Sequence, residues 1–292
     1  MKGFRPAANL PQESAPGNDS VSATAIRPFL RWAGGKFHLA AMLCEFVPDD
    51  IQMRRYFEPF FGAGSLFFSL QHPKAFLSDA NSHLMECYRE VRDHSISVAR
   101  HLRGHQSKDC EDYYYVVRDA YNRSPPGTAR AARFIYLNRT GFNGVFRVNR
   151  SGRYNVPYGR KKSARFPTPA ELDGAAALLR TARLRDCDYL KALRSARAED
   201  FIYLDPPYPP LNGTSFFTHY TTDRFDIDNQ AKVAACVKEL HKRGCLVMIS
   251  NADTREIRSL YKGFSIQSLS VRRFVTSSSI KHSVDEVIIT NY

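Results

Sequence analysis

Cysteine is scarce in this 292-residue sequence and follows no pattern. No two cysteines form a C-x-x-C pair, and none lies near a histidine at a metal-binding spacing. This argues against a zinc site and against a disulfide framework, so we expect no bound metal. The six cysteines are Cys44, Cys87, Cys110, Cys187, Cys236 and Cys245.

Long apolar runs are also missing. No run approaches the roughly 20 residues that a membrane span requires, and the N-terminus lacks the basic and apolar arrangement of a signal peptide. We therefore expect a cytoplasmic protein with no membrane partner. The hydrophobic fraction of 43% is enough for a buried core, either in one large domain with an insertion or in two modest domains.

Acidic residues are absent between Asp119 and Glu171, in a chain whose formal net charge is +13 and whose sequence pI is about 9.6. A solvated face usually mixes charges of both signs, whereas a segment of one sign attracts phosphates. This segment predicts a polyanionic partner. Its basic residues are Arg123, Arg130, Arg133, Arg139, Arg147, Arg150, Arg153, Arg160, Lys161, Lys162 and Arg165.

The apolar patterns alternate between strands and helices. Residues 1–25 are rich in Pro, Ser, Ala, Gly and Asn, and we predict a disordered tail there. Predicted strands lie at about 56–58, 75–79, 200–204, 245–249 and 284–290, and predicted helices at 65–70, 82–102, 111–122, 128–138, 169–181 and 227–242. This order predicts an α/β fold with a largely parallel sheet and helices on both faces.

The sharpest motif is Asp205-Pro206-Pro207-Tyr208, directly after the apolar run Phe201–Leu204. Two prolines cannot continue a sheet ladder, so the chain must leave the strand as a stiff loop at the edge where α/β folds bind ligands. A rigid turn is the structural alternative. An aromatic amine is a poor nucleophile, and acceptors such as the Asp205 carboxylate and the Pro206 carbonyl can free its lone pair. Tyr208 offers a face for stacking a base.

A glycine turn, Gly62-Ala63-Gly64, follows the first predicted strand, and Asp79 ends the second. Glycines let a backbone approach a cofactor closely, and a carboxylate at the second position can accept the two hydroxyls of a ribose. The third glycine of a pyrophosphate site is absent. The pattern therefore favours a cofactor that contains adenosine but no diphosphate.

From about Arg27 to the C-terminus the sequence resembles the Dam-like, class α (D12-type) DNA adenine N6-methyltransferases. The resemblance is carried by segments in the family's order: Arg27–Lys36, Glu58–Ser65, Leu77–Asn81, Asp205–Tyr208, Phe217–Tyr220, Met248–Asp253 and Val271–Arg273. It implies a Rossmann-like fold that depends on S-adenosylmethionine. It also implies a catalytic domain over 26–81 and 169–292, with a helical and β-hairpin target-recognition insertion over 82–168.

The same resemblance implies the functional residues. The catalytic set would be Asp205, Pro206, Pro207 and Tyr208. The cofactor would be bound by Trp32, Lys36, Glu58, Phe60, Gly62, Gly64, Asp79, Asp188 and Asp205. We further expect a monomer, associated with the nucleoid, that methylates adenine by base flipping and direct transfer.

Residues 138–160, here called the basic hairpin, resemble the recognition hairpin of family members that act on GATC in duplex DNA. Phe142 would enter the base stack, and Arg147 would contact guanine with two hydrogen bonds. Val145, where those relatives usually carry leucine, and Pro157 would supply apolar contacts, and Arg160 a phosphate contact. The expected DNA-binding set is Arg139, Phe142, Asn143, Val145, Arg147, Asn149, Pro157 and Arg160.

Other functions remain open to different degrees. A cytosine C5-methyltransferase needs a Pro-Cys nucleophile, and no cysteine here follows a proline. An N4-cytosine methyltransferase solves the same amine problem and stays an alternative, because Asp-Pro-Pro-Tyr does not identify the base. An RNA adenine methyltransferase and a DNA-binding regulator without catalysis are further alternatives. The basic hairpin resembles a reader of duplex DNA, which disfavours an RNA methyltransferase. The cofactor and catalytic motifs are intact, which disfavours a regulator without catalysis.

Overall fold

The computed structural model describes residues 26–160, 163–208, 225–269 and 286–292. The predicted disordered tail at 1–25 lies outside these residues. So do the Phe217–Tyr220 and Val271–Arg273 segments that contributed to the resemblance.

The described residues form a seven-stranded sheet in the order β3-β2-β1-β4-β5-β7-β6. Pairing is parallel from β3 through β5, and β7 runs antiparallel to both β5 and β6. The predicted α/β architecture with a largely parallel sheet is confirmed. The strands are β1 Tyr56–Glu58, β2 Ala75–Asp79, β3 Arg183–Asp186, β4 Phe201–Leu204, β5 Leu246–Ala252, β6 Ser265–Leu269 and β7 Glu286–Thr290.

The central strands are buried on both faces because alternate side chains enter two different cores. In β4, Phe201 and Tyr203 join the larger core, while Ile202 and Leu204 join the smaller one on the opposite face. Successive side chains of a strand point to opposite sides, so strands covered on both faces read as continuous apolar runs. This explains why the sequence pattern at 201–204 is uniformly apolar.

Helices begin where short polar side chains can cap them. The Asn81 side chain accepts a hydrogen bond from the backbone N–H of Leu84 at 3.1 Å, and Thr168 forms a capping box with Glu171. Asp226 caps the last long helix in the same way. The helices are α1 Ala40–Cys44, α2 Ser65–Leu70, α3 Ser82–Gln106, α4 Glu111–Arg123, α5 Thr128–Thr140, α6 Pro169–Leu179, α7 Tyr189–Ala192, α8 Ile227–Lys242 and α9 Arg255–Leu260.

The basic hairpin folds back against α4. Antiparallel bridges join Gly141 to Tyr158 and Val148 to Tyr154, as the predicted hairpin requires. The Asn122 side chain exchanges two hydrogen bonds with the backbone of Tyr154, at 2.7 and 3.0 Å. The larger core runs without a break from the sheet through α3–α5 to the buried side chains of the hairpin, so these parts pack as one unit.

The described part of the chain contains no helix long and apolar enough to cross a membrane. Within the same residues, no three His, Cys, Asp or Glu side chains come together in a way that could hold a metal ion.

Candidate active site

Three carboxylates meet at one edge of the sheet. Glu58 ends β1, Asp79 ends β2, and Asp205 directly follows β4. Because β2, β1 and β4 are adjacent and parallel, their carboxyl ends lie side by side at the edge where α/β folds bind ligands. The sequence motifs thus converge on one place, although nearly 150 residues separate the first from the last.

The glycine turn is held against Asp79 and Trp32. The backbone N–H of Gly62 donates to Asp79 Oδ2 at 3.0 Å, and Asp79 Oδ1 accepts from the N–H of Asn81 at 2.9 Å. Gly62 and Gly64 have φ of +47° and +67°, and a Cβ on Gly62 would come within 2.9 Å of the indole of Trp32. Both conformation and close packing therefore require glycine at this turn.

Asp205 sits between a buried cation and a hydroxyl. Lys36 Nζ lies 3.0 Å from Asp205 Oδ1, and the Ser250 hydroxyl donates to the same carboxylate at 2.7 Å. The Lys36 side chain is 3% exposed and that of Asp205 is 19% exposed, so solvent screens this pair weakly. The carboxylate is therefore held in a defined orientation at the end of β4.

The two residues that end the motif are held from opposite sides of the site. The buried side chain of Gln230 on α8 donates to the Pro207 carbonyl at 2.8 Å, and Gln230 in turn accepts from the Asn251 amide at 2.9 Å. The Tyr208 hydroxyl donates to Glu286 Oε2 at 3.1 Å. The Asp205–Tyr208 loop is thus attached to α8, β5 and β7.

Glu58 is buried beneath this edge, and the Tyr56 hydroxyl donates to its Oε2 at 2.5 Å. Burial raises the pKa of Glu58 to about 8; the hydrogen bond from Tyr56 opposes the rise, and the negative charge of Asp205 adds to it. Burial also raises the pKa of Asp79, against the two backbone N–H groups that it accepts. Glu58 is therefore mainly protonated at neutral pH.

Phe60 and Asp188 lie together on the β2–β3 side of the site. Phe60 stacks on Tyr189 with ring centroids 5.3 Å apart. The exposed Asp188 caps α7 by accepting from the backbone N–H of Lys191 at 3.0 Å, and the N–H of Cys187 donates to the Asp79 carbonyl at 3.1 Å. Asp188 thus follows directly after a residue whose backbone is hydrogen-bonded to Asp79.

The basic hairpin exposes most of the residues expected to bind DNA. Phe142 is 52% exposed. Arg147 is exposed, and its Nε donates to Asn155 Oδ1 at 2.8 Å. Pro157 is exposed and Val145 partly so. Arg160, also exposed, pairs with Glu111 at 3.2 Å.

Two other residues of that set, Arg139 and Asn149, bond to the protein backbone, and a third, Asn143, has a left-handed backbone conformation. The guanidinium of Arg139 donates twice to the Phe29 carbonyl, at 2.6 and 3.1 Å, and burial lowers its pKa to about 10. Asn149 Oδ1 accepts from the N–H groups of Ser151 and Arg153 and so shapes the turn of the hairpin. Asn143 has a φ of +52° in a tight turn. Arg139 and Asn149 thus support the local backbone.

One ring connects the hairpin to the cofactor motif. Phe146 of the basic hairpin is buried and stacks on Trp32, with centroids 6.1 Å apart and planes at 21°. The same indole packs over Gly62 of the glycine turn. Trp32, which is expected to bind the cofactor, therefore packs directly against a buried residue of the basic hairpin.

The sequence reasoning assigned no role to three polar residues of the site. Ser250 lies in the segment Met248–Asp253, which carries part of the family resemblance but points to no individual residue. Gln230 lies in a predicted helix that contains no motif. Glu286 carried a usable signal, because it is a charged residue beside the apolar run Val287–Ile289 of a predicted strand. A carboxylate there must find a partner when the strand is buried.

The profile of the D12 class N6 adenine-specific DNA methyltransferases matches residues 32–275. The chain is 36% identical over 274 residues to the type II methyltransferase M1.LlaDCHI of Lactococcus lactis subsp. cremoris, an alignment that covers 91% of this chain and 96% of the relative. It is 35% identical over 287 residues to the type II methyltransferase M.MjaIII of Methanocaldococcus jannaschii, covering 91% and 99%. It is 36% identical over 266 residues to the DNA adenine methylase of Escherichia coli K12, covering 90% and 94%.

The residues that the profile matches include the glycine turn, the Asp205–Tyr208 loop and the basic hairpin. The chain belongs to the D12 class of N6 adenine-specific DNA methyltransferases, and it is an enzyme that methylates adenine in DNA.

Proposed function

We propose that this enzyme transfers the methyl group of S-adenosylmethionine to N6 of the adenine in GATC, in duplex DNA, by base flipping and direct transfer. The observation that supports this best is the buried Lys36–Asp205 pair, which holds a carboxylate next to the Asp79 glycine turn at one edge of the sheet. At that edge the glycine turn and Asp79 can bind a nucleoside cofactor, and the Asp205 carboxylate can accept a hydrogen bond from the amine of the base.

The residues around the glycine turn fit S-adenosylmethionine. Gly62 leaves bare backbone beside the indole of Trp32, where a Cβ would meet the ring at 2.9 Å. Each oxygen of Asp79 accepts one backbone N–H and keeps capacity for a ribose hydroxyl. In this proposal Trp32, Phe60 and Asp79 bind the nucleoside. The cofactor supplies a methyl group on a positively charged sulfur, which needs no metal ion to react.

Asp205 activates the adenine amine. Its carboxylate and the Pro206 carbonyl accept the two N–H bonds of N6 and draw the nitrogen towards a tetrahedral geometry, in which its lone pair is free to attack. N6 must lose one proton as it takes up the methyl group, and we assign that proton to the Asp205 carboxylate, which would already accept the N–H bond. Lys36 and Ser250 fix the carboxylate before the base arrives, so little reorganisation is needed during the step.

Base flipping is needed because N6 lies inside the duplex stack. Tyr208 stacks on the extruded adenine, and the exposed Phe142 fills the gap that the base leaves. Arg147 reads a guanine in the major groove, and Val145 and Pro157 contact a thymine methyl. The stretch without acidic residues between Asp119 and Glu171 attracts the phosphates on either side.

The proposal is tested by methyl transfer from labelled S-adenosylmethionine into three duplexes. One contains GATC, one contains GATC with N6-methyladenine already in place, and one carries the same bases in scrambled order. We expect incorporation into the first only. Equal incorporation into the scrambled duplex would overturn the GATC assignment, and label recovered as N4-methylcytosine would overturn the choice of base.

A further inference from the structure

A single buried carboxylate touches two members of the site. Glu286 opens β7, is fully buried, and pairs in register with Ala252 of β5 and Leu269 of β6. Burying a carboxylate costs free energy unless charged or hydrogen-bonding groups compensate it. A strand that is otherwise apolar therefore carries a costly residue at the point nearest the active site.

The partners of Glu286 are residues of the reaction. Its Oε2 accepts the Tyr208 hydroxyl at 3.1 Å and lies 3.9 Å from the ammonium of Lys36. That ammonium is 3.0 Å from Asp205 Oδ1 and 4.6 Å from the centroid of the Tyr208 ring. One oxygen of Glu286 thus contacts both the residue that orients Asp205 and the ring expected to hold the base.

We propose that Glu286 is a positioning residue for methyl transfer, an inference that rests on the base-flipping mechanism given above. It holds Tyr208 by the hydroxyl and Lys36 by charge. The ring face and the Asp205 carboxylate therefore keep one relative orientation before the adenine enters. Misplacement of a reacting group by about 1 Å can cost 100-fold in rate, so the predicted effect falls on the chemical step rather than on DNA affinity.

The first test compares Glu286→Gln with the wild type in single-turnover methylation of a duplex that the wild type methylates, with cofactor and DNA saturating. We expect a rate constant about 10-fold lower, because the amide keeps the volume but loses the charge, which weakens both the attraction to Lys36 and the hydrogen bond from Tyr208. The dissociation constant for DNA should stay within about 2-fold of the wild type. The matched control is Glu239→Gln, an exposed residue of α8 whose ion pair with Lys242 is on the surface.

A double-mutant cycle distinguishes positioning from a merely structural role. Tyr208→Phe keeps the ring and removes the hydroxyl that reaches Glu286. The two single variants each lower the single-turnover rate constant by some factor, and independent effects would multiply in the double variant. If Glu286 acts through Tyr208, the rate constant of the double variant should exceed that multiplied value by about 3-fold or more. Effects that simply multiply, with a melting temperature lowered to match, would overturn the proposal.

A duplex with 2-aminopurine at the target adenine separates this inference from base flipping itself. The fluorescence of 2-aminopurine rises when the base leaves the stack, and we expect both the wild type and Glu286→Gln to raise it, because the predicted defect lies in the later chemical step. No rise with the wild type would overturn base flipping. A wild-type rise, together with a single-turnover rate in Glu286→Gln equal to that of the wild type, would leave flipping intact and overturn the role of Glu286.

Discussion

Asp205 is oriented by side chains that are distant in sequence. Lys36 precedes it by 169 residues and Ser250 follows it by 45, and both reach the same carboxylate. Sequence reasoning could find Asp205, because an acidic residue before two prolines at the end of an apolar run is a local pattern. It could not find Ser250 or Gln230, since their importance depends on which strand and helix pack beside the loop.

Replacement of Asp205 by alanine should abolish methyl transfer and leave duplex binding within about 3-fold of the wild type. The carboxylate is expected to act on the amine, while the basic hairpin supplies the phosphate contacts. Labelled transfer and an equilibrium binding titration measure the two quantities. Asp228→Ala, an exposed aspartate at the start of α8, is the control; turnover at the control's rate in Asp205→Ala would refute the mechanism.

Glu58 should make the stability of the protein depend on pH. Burial raises its pKa in the folded state to about 8, above the ordinary value near 4.3 that it has in the unfolded chain. The folded state therefore binds this proton more tightly than the unfolded chain does. The contribution of Glu58 to the free energy of unfolding is greatest below about pH 4 and is lost as the pH rises to about 8.

The variant Glu58→Gln removes that titration. Between pH 6 and pH 8 the free energy of unfolding of the wild type should fall by about 2 kcal/mol more than that of the variant, because one proton is released over most of this interval. Denaturant unfolding of both proteins at the two pH values measures the difference. Identical pH dependence in the two proteins would mean that Glu58 is already ionised at pH 6.

At the scale of elements, the strands that the sequence revealed are those buried on both faces. The apolar runs at 201–204 and 246–249 predicted β4 and β5. The edge strands β3, Arg183–Asp186, and β6, Ser265–Leu269, were missed because most of their side chains are exposed. The charged residues of β3 and the uncharged polar residues of β6 interrupt the apolar pattern that identifies a strand. Charges on an edge strand such as β3 also protect it from pairing with another chain.

The side chain of Arg147 is held within the basic hairpin. Its guanidinium is held by Asn155 at 2.8 Å on the opposite strand, which reduces the side-chain entropy lost on binding. Arg147→Ala should cost about 1–3 kcal/mol at the guanine that it contacts and relax preference there. Methylation rates on duplexes substituted at each base of GATC measure this preference.

The control for Arg147 is Arg194→Ala. Arg194 is exposed and precedes Ser195, whose carbonyl accepts a hydrogen bond from Arg55. Because Arg55 directly precedes β1, Arg194 lies near the amino end of that strand, away from the active site at its carboxyl end. A sequence preference in Arg147→Ala that matches this control would remove Arg147 from the recognition set.

At the scale of the whole molecule, the net charge of +13 should make DNA binding strongly salt-dependent. Arg160→Ala should weaken binding to GATC and to unrelated duplexes alike. It should also lower the slope of log affinity against log salt by about one, because one phosphate contact is lost. Titrations at several salt concentrations test this, and a loss confined to GATC would assign Arg160 to base recognition instead.

The single core that joins the catalytic sheet to the basic hairpin has an evolutionary consequence. Phe146 and Tyr154 of the hairpin belong to the same buried cluster as Tyr56 of β1 and Leu84 of α3. A segment that shares its packing in this way cannot be exchanged between enzymes without opening a cavity in the host. New target sequences in this lineage would therefore arise by substitution of exposed hairpin residues, one position at a time, rather than by shuffling of a detachable recognition module.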